Sequence, residues 1–198
     1  MKKLSPRQQK SLDIRKKVYE VFCSLSIESE DVTVKDICQG AGISVGSFYN
    51  FFESKEAVTG YVYQYLNEEM EACDYPEDPV ERIFRAAERL MTLSMGKGVN
   101  FLRMAAVYEA NHSPSIARGD YSGQVLFSAT AALIISALED GVRQGIFALD
   151  EPAWYYSDMI ICMHRSQLYF WTVNGGRYDP LSKQLSYVRF ILDAIKAK

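Results

Sequence analysis

The sequence has few of the residues that usually carry catalysis, metal binding or covalent cross-links. Its 198 residues include only two histidines, His112 and His164, and no motif orients either of them toward a nucleophile or an acid. No Gly-rich phosphate loop or serine nucleophile elbow is present. The four cysteines are widely spaced and match no zinc or redox motif, which favours free thiols in a reducing compartment. These absences predict a protein that is not an enzyme and that holds no metal and no cofactor.

The chain as a whole also lacks a large excess of either charge, because 22 basic and 25 acidic residues leave a net charge of −3. The N-terminal stretch is the exception, because basic residues greatly outnumber acidic ones there. Against the single acid Asp13 it has Lys2, Lys3, Arg7, Lys10, Arg15, Lys16 and Lys17. We expect a flexible basic arm from Met1 to about Ser11, which suits a DNA-binding head and equally a solvated tail.

Long apolar runs are missing as well. The uncharged span between Asp120 and Glu139 contains hydroxyl and amide side chains, so it predicts a buried helix and not a membrane span. The N-terminus has charge but no apolar core, so a signal peptide is not expected. A cytoplasmic protein is the resulting expectation.

One stretch, from Thr33 to Glu56, organises the chain. Thr33 followed by Asp36 has the pattern of a capping box, and Gly42 stands where the chain must turn sharply. Ser44 caps a second short helix, with Ser47 as its possible reciprocal partner. Three aromatic residues at helical spacing share its inward face: Phe48, Phe51 and Phe52. The pattern predicts two short helices joined by a tight turn.

The opposite face of this second helix has the chemistry of a recognition helix. Small, hydroxyl and amide side chains can approach a groove and bond to phosphates and base edges. They are Val45, Gly46, Ser47, Tyr49 and Asn50. Lys55 follows the Ser54 cap at the positive end of the next helix, where a cation suggests an approaching phosphate. The alternative is three small helices with a solvated face, but the whole constellation favours DNA binding.

The run from Val34 to Glu56 resembles the helix-turn-helix signature of the tetracycline-repressor (TetR) family. The stretches that carry the resemblance are Ala41-Gly42-Ile43-Ser44, Gly46-Ser47-Phe48-Tyr49 and Phe52-Glu53-Ser54-Lys55-Glu56. Members of that family are dimeric, ligand-responsive transcription regulators. The resemblance implies a DNA-binding head made of helices 1 to 3 and the start of helix 4. It also implies a helical body that binds a small-molecule effector and dimerises.

The resemblance also implies residue roles at a palindromic double-stranded DNA operator. Gly46 and Ser47 would lie closest to the bases, beside the Ser44 cap. Phosphate contacts would come from Thr33, Tyr49, Asn50 and Lys55. Val45 occupies a position that is often basic in the family. Because valine offers only apolar contact, for example to a thymine methyl, base specificity there stays open.

The rest of the chain is helical in pattern, which predicts an all-α fold of about nine helices. We expect a helix-turn-helix domain at 1–55 and a ligand-binding and dimerisation domain at 56–198. The predicted helices after the head begin or run as follows: helix 4 from Ser54 to about Cys73, helix 5 from Val80 to a break at Gly96, helix 6 from Val99 to about Asn111, helix 7 from about Ser115 to Gln144, helix 8 from Pro152 to about Val173, and helix 9 from Pro180. Helix 1 is predicted from about Leu12 to Leu25.

Two sets of body residues are candidate sites. Large, adaptable side chains suit an apolar effector pocket, although each one alone is more often core: Met91, Met95, Phe101, Met104, Tyr108, Phe127, Met163, His164 and Trp171. A heptad-like seam in helix 9 can pack internally or against a second copy: Leu181, Leu185, Val188, Leu192 and Ile195.

By resemblance, helices 8 and 9 form a homodimer. The function predicted is therefore a ligand-responsive transcriptional regulator, most often a repressor, that a small apolar effector releases from its operator. The competing hypotheses are a small-molecule carrier or protein-interaction module that does not bind DNA, and an effector-independent activator.

Overall fold

A computed structural model describes residues 5–112 and 129–197 of the chain. In these ranges the fold is all-α, with one isolated β-bridge and no strand, which confirms the predicted fold class. Its helices are α1 (Pro6–Glu28), α2 (Val34–Ala41), α3 (Val45–Tyr49), a 3-10 helix (Glu56–Tyr61), α4 (Val62–Glu71), α5 (Pro79–Met95), α6 (Val99–His112), α7 (Ala129–Arg143), α8 (Ala153–Val173) and α9 (Pro180–Ala194). Within the described ranges, none of these helices is long and apolar enough to cross a membrane.

The chain divides into two compact units. Unit 1 comprises Met1–Val62 and Lys97–His112, and unit 2 comprises Tyr63–Gly96 and Ser113–Lys198. The predicted ranges 1–55 and 56–198 assigned α6 to the body, whereas α6 packs with α1 and with the 3-10 helix of unit 1. A helix that returns to an earlier part of the chain is not visible in a boundary drawn along the sequence.

Helix α1 is longer than the sequence predicted. It begins at Pro6, and Ser5 and Gln8 form a capping box in which each side chain accepts from the backbone N–H of the other. The prediction of a flexible arm to Ser11 is therefore wrong for residues 6–11. The Ser-Pro-x-Gln pattern was the available signal, since proline suits the first helical position.

The core of unit 1 joins α1 to α6 through aromatic rings. The Phe101 side chain is fully buried, and its ring packs edge-on against Tyr19 and Phe22, with centroids 5.4 and 5.5 Å apart. Such pairs stabilise a core beyond their buried area. Phe101 was a candidate for the effector pocket, and in the structure it is a core residue of unit 1.

The predicted helix 4 is two segments. Ser54 does act as a cap, since its Oγ accepts from the Ala57 N–H at 3.1 Å. The turns that follow, Glu56–Tyr61, are 3-10 helix, and α-helix begins only at Val62 and ends at Glu71. The tighter turn fits the packing of the Tyr108 ring on Gly60, where a Cβ would approach the ring to 2.8 Å.

In unit 2, α5, α7, α8 and α9 enclose one apolar core. Helix α5 packs on α7 and α9, and α8 packs on the same two helices. Capping matches the sequence: Asp78 precedes Pro79 in α5, and Asp179 precedes Pro180 in α9. The predicted start of helix 7 lies in 113–128, outside the described residues. The end of the chain is held by Ala148 N–H to Ile195 O and Ala197 N–H to Ile146 O hydrogen bonds.

The helix 9 seam packs internally. Val188, Leu192 and Ile195 are at most 5% exposed and belong to the core of unit 2, and Leu185 packs against that core. Of the two alternatives for this seam, the structure therefore supports the internal one. The assignment of Val188, Leu192 and Ile195 to a dimer interface is corrected accordingly, because their apolar surface is covered within unit 2, where α9 packs on α5 and α8. For the half-buried Leu181 and Leu185 it stays a prediction.

Candidate nucleic-acid interface

The first helix of the motif, α2, has a complete capping box. The Thr33 hydroxyl donates to Asp36 Oδ2 at 2.6 Å and accepts from the Asp36 N–H at 3.3 Å, and the Thr33 N–H donates to Asp36 Oδ2 at 2.9 Å. These hydrogen bonds from Thr33 lower the pKa of Asp36 below its usual value. The Thr33 side chain is exposed, so it lies at the surface while it fixes the start of α2.

The turn between α2 and α3 depends on Gly42. Its φ of 68° and ψ of 38° place it in the left-handed region, which costs glycine little. The Ile43 N–H then donates to the Cys38 carbonyl at 3.0 Å, which closes the end of α2. An added Cβ at Gly42 would have the Lys17 Nζ as its nearest neighbour, at 3.8 Å, so a cationic side chain of α1 stands beside the turn.

Helix α3 is anchored on one side and open on the other. Ser44 Oγ accepts from the Ser47 N–H at 3.0 Å, and Phe48 is fully buried. The open side carries the predicted DNA-contacting residues: Val45, Gly46, Tyr49 and Asn50 are exposed and Ser47 is half-buried. The structure thus presents these side chains together on one outer face of the head.

Arg15 connects three parts of the head, although the sequence showed it only as one of the basic residues near the N-terminus. Its Nη1 donates to the Phe51 carbonyl at 2.9 Å and to the Tyr61 hydroxyl at 2.5 Å. Its guanidinium carbon lies 5.5 to 5.7 Å from the ring centroids of Phe51, Phe52 and Tyr61, within cation–π range. This cluster, called here the Arg15 clamp, joins α1 to the residues that follow α3 and to the 3-10 helix.

A sequence signal for the Arg15 clamp did exist. Arg15 lies at i, i+3, i+4 and i+7 spacing with Val18, Tyr19 and Phe22, which are all buried on α1. An arginine in line with a buried stripe is expected to find a partner for its head group.

Lys55 is held within the head. Its Nζ donates to the Val32 carbonyl at 2.8 Å, and the side chain is half-buried. A phosphate is therefore not needed to explain a cation at this position, because a backbone carbonyl already accepts from the ammonium group. A phosphate contact by Lys55 stays a prediction. Exposed cations available on the described head surface include Arg7, Lys10 and Lys35.

The candidate effector residues are divided between the two units. Phe101, Met104 and Tyr108 belong to unit 1, and Met91, Met95, Met163, His164 and Trp171 belong to unit 2. Phe127 lies outside the described residues. The Tyr108 ring stacks on His112 at 4.1 Å, and its hydroxyl donates to Glu53 Oε1 at 3.4 Å.

His164 lies in a buried polar chain inside unit 2. Gln184 Nε2 donates to the Ala87 carbonyl at 3.2 Å, which leaves Gln184 Oε1 to accept from His164 Nδ1 at 3.1 Å. His164 Nε2 is then the acceptor for the Ser94 hydroxyl, 3.4 Å away. Burial is the main cause that lowers the pKa of His164 to about 4, so the ring is neutral near pH 7.

Comparisons with known proteins support the helix-turn-helix assignment. Residues 30–62, which contain α2, the turn, α3 and the 3-10 helix, match the family model of bacterial regulatory proteins of the tetR family. No curated protein sequence matches the chain.

Solved structures share the fold over nearly the whole chain. A TetR transcription regulator from Haloarcula marismortui is 14% identical, with 96% of this chain and 99% of that one covered and a TM-score of 0.64. FadR from Bacillus subtilis, in complex with stearoyl-CoA, is 17% identical with 93% and 98% covered and a TM-score of 0.58. FadR from Thermus thermophilus, in complex with lauroyl-CoA, is 19% identical with 90% and 92% covered and a TM-score of 0.55.

An all-α chain with a capped helix-turn-helix, an exposed second helix and a helical body has the architecture of TetR-family transcription regulators. The match of the head to the family model, together with the shared fold, confirms the resemblance drawn from the sequence. Residues 30–62 of the chain are thus similar to the tetR family model, and the chain shares the fold of solved TetR-family regulators.

Proposed function

We propose that the protein is a homodimeric, ligand-responsive transcriptional repressor that acts in the cytoplasm and binds a palindromic operator. Each head places the open face of α3 in a major groove, and the two half-sites are related by the two-fold axis of the dimer. The observation that carries this proposal is the open face of α3 itself, which the Gly42 turn and the buried Phe48 hold outward. Exposed cations on α1 and α2 supply the contacts to phosphates that do not depend on sequence.

The effector proposed is a small, largely apolar molecule that binds unit 2. Two proteins of the same fold are named as complexes with acyl-CoA thioesters, lauroyl-CoA and stearoyl-CoA. This supports long-chain acyl thioesters as the first compounds to screen. An effector of this kind releases the operator only to the extent that it binds the DNA-free conformation more tightly than the DNA-bound one.

Selection from a random duplex library tests the DNA-binding proposal. We expect the purified protein to enrich a palindrome whose affinity falls steeply as salt rises, because phosphate contacts release counterions. The selection is repeated on protein that has been unfolded, dialysed and refolded, so that a co-purified ligand cannot hold the heads apart. A folded protein that enriches no duplex in either preparation would contradict the proposal and favour a carrier or interaction module.

The dimer contact proposed here uses the exposed face of α8, because the seam of α9 is buried. Tyr155, Tyr169 and Val173 share one face at helical spacing and are 44%, 59% and 54% exposed. Two small exposed residues, Cys162 and Ser166, lie between them on that face and permit close approach of a second helix. Phe170 on α8 and Phe190 on α9, at 48% and 74% exposed, extend the apolar surface. Apolar exposure of this extent marks an interaction surface.

Charges on the α8 face are therefore expected to separate the dimer. The double substitution Tyr169→Asp and Val173→Asp should give monomers in sedimentation experiments, because an interface of ~1,600 Å² does not tolerate buried unpaired carboxylates. Val107→Asp on α6 is the matched control, since Val107 is also an apolar side chain and is 58% exposed. A double variant that stays dimeric while folded would remove this face of α8 from the interface.

A further inference from the structure

The open face of α3 carries an apolar ridge. Val45 and Tyr49 are four residues apart, so they lie one above the other on the helix, and they are 45% and 54% exposed. Phe48 on the opposite side is fully buried and supplies the anchor of α3. The Tyr49 ring packs edge-on against Phe48, and the remaining apolar surface of Val45 and Tyr49 faces outward, where a partner can reach it.

Polar groups near Val45 are already engaged. The hydroxyl oxygens of Ser44 and Ser47 are 2.9 Å apart and share a hydrogen bond, and Ser44 Oγ also accepts from the Ser47 N–H. Gly46 has no side chain, and an added Cβ there would meet only Ser44 Oγ, at 3.9 Å. Val45 therefore projects from a helix start whose neighbours are small or capped.

The chemistry of this face limits which base it can read. A guanidinium or ammonium group would favour the O6 and N7 atoms of guanine, and the α3 segment Val45–Tyr49 contains no cationic side chain. A branched aliphatic side chain offers no hydrogen bond. In the major groove its one favourable base contact is the C5-methyl group of thymine.

We propose that Val45 is a specificity-determining residue that packs against the C5-methyl group of one thymine in each operator half-site. This inference rests on the proposed DNA-binding function and adds the base class that the recognition helix reads. Tyr49 borders the same contact and limits the access of water to it. Because 5-methylcytosine carries its methyl group at the same place, the contact depends on the methyl group and not on the hydrogen-bonding edge of the base.

Deoxyuridine in place of thymine deletes only this methyl group and keeps the base pair. In the duplex enriched by the selection above, each thymine is replaced by deoxyuridine, symmetrically in both half-sites, and the Kd is measured for each duplex. One position is expected to weaken binding of the wild-type protein by about fourfold per methyl group, hence about fifteenfold for both half-sites. Replacement of the same thymine by cytosine in both half-sites should weaken binding. Replacement by 5-methylcytosine should restore part of that affinity, because it brings back the methyl group.

The Val45→Ala variant completes a double-mutant cycle. Val45 is exposed and outside the core, so the variant is expected to fold, which circular dichroism checks. Its affinity for the thymine and deoxyuridine duplexes at the sensitive position should differ by less than about twofold, because the contacting methyl groups of valine are gone. Val107→Ala is an equally small change at an exposed valine of α6. This variant should show the same loss of affinity for the deoxyuridine duplex as the wild-type protein.

Four results would overturn the inference. Wild-type protein that tolerates deoxyuridine at every thymine, or an operator without a thymine in the half-site, excludes a methyl contact while leaving the DNA-binding function intact. A Val45→Ala variant with the wild-type penalty assigns the methyl contact to another residue. Failure to enrich any duplex contradicts the proposed function, and this inference falls with it.

Discussion

The variant Arg15→Leu is expected to lose most of its operator affinity and to loosen the head without unfolding unit 2. The guanidinium group donates to the Phe51 carbonyl and the Tyr61 hydroxyl and lies over three aromatic rings. Charge-assisted hydrogen bonds and cation–π contacts of a half-buried group together contribute about 3 kcal/mol. Leucine leaves the two oxygens without this donor, so α1 no longer holds the residues that follow α3.

Two measurements separate the effects of Arg15→Leu. Amide hydrogen exchange in α1, α2 and α3 should speed up by about a hundredfold, while exchange in unit 2 stays as in the wild-type protein. Operator affinity should fall by about tenfold or more, since only the fraction of heads with α3 in place can bind.

Matched variants locate the cause of the Arg15 effect. Arg7→Leu removes the same charge from an exposed position of α1 and should leave exchange rates in the head unchanged. Tyr61→Phe removes only the hydroxyl acceptor and should cost about 1 kcal/mol. Wild-type exchange rates in Arg15→Leu would show that the clamp does not stabilise the head.

Acid is expected to destabilise unit 2 through His164, with the free energy of unfolding falling by about 3 kcal/mol between pH 7 and pH 4. Burial lowers the pKa of His164 from its ordinary 6.5 to about 4 in the folded protein, and the nearby charge of Arg165 acts in the same direction. Below pH 6.5 His164 binds a proton in the unfolded chain but stays neutral in the folded core. Stability is therefore greatest above pH 6.5 and falls as the pH decreases toward 4.

The acidic groups of the chain act in a different pH window. Hydrogen bonds lower the pKa values of Asp36, Asp140, Asp150 and Asp179 in the folded protein, so the stability they contribute is lost at lower pH, below their ordinary value of 3.8. The change in the free energy of unfolding with pH between pH 6.5 and pH 4.5 accordingly isolates the effect of His164.

Denaturant unfolding followed by tryptophan fluorescence measures this slope. Trp154 and Trp171 both lie on α8, the helix that carries His164. The His164→Gln variant should be less stable at pH 7 and should lose the slope, because glutamine does not titrate. His112→Gln, which changes the exposed histidine, should keep it. A wild-type free energy of unfolding that is level from pH 6.5 to pH 4.5 would show that His164 is not buried in its neutral form.

Local patterns in the sequence predicted the head well. The Thr33–Asp36 capping box, the left-handed Gly42 and the Ser44 cap all stand in the structure, because each depends on residues within a few positions of one another. The same locality explains why helix 9 starts at Pro180 as predicted and why helix 5, predicted from Val80, starts one residue earlier at Pro79. It also explains a miss, since the Ser5–Gln8 box was present in the sequence and was overlooked as the true start of α1.

Residues that act over long separations were not predictable in this way. Arg15 and Lys55 were both interpreted as surface cations, and their partners, Tyr61 and Val32, are 46 and 23 residues away. Phe101 looked like a pocket residue because a large aromatic side chain suits a pocket and a core equally. Only the position of α6 against α1 assigns it to the core of unit 1.

The sequence by itself determined the all-α class, the capped helix-turn-helix and the outward face of α3, since helix caps, turns and amphipathic spacing are properties of neighbouring residues. The tertiary structure alone decided which apolar stripe is covered. The seam of α9 and the face of α8 are both apolar at helical spacing, but α5 and α8 bury the first, and the second stays exposed. Burial depends on what packs against a helix, and periodicity shows only that a face needs a partner.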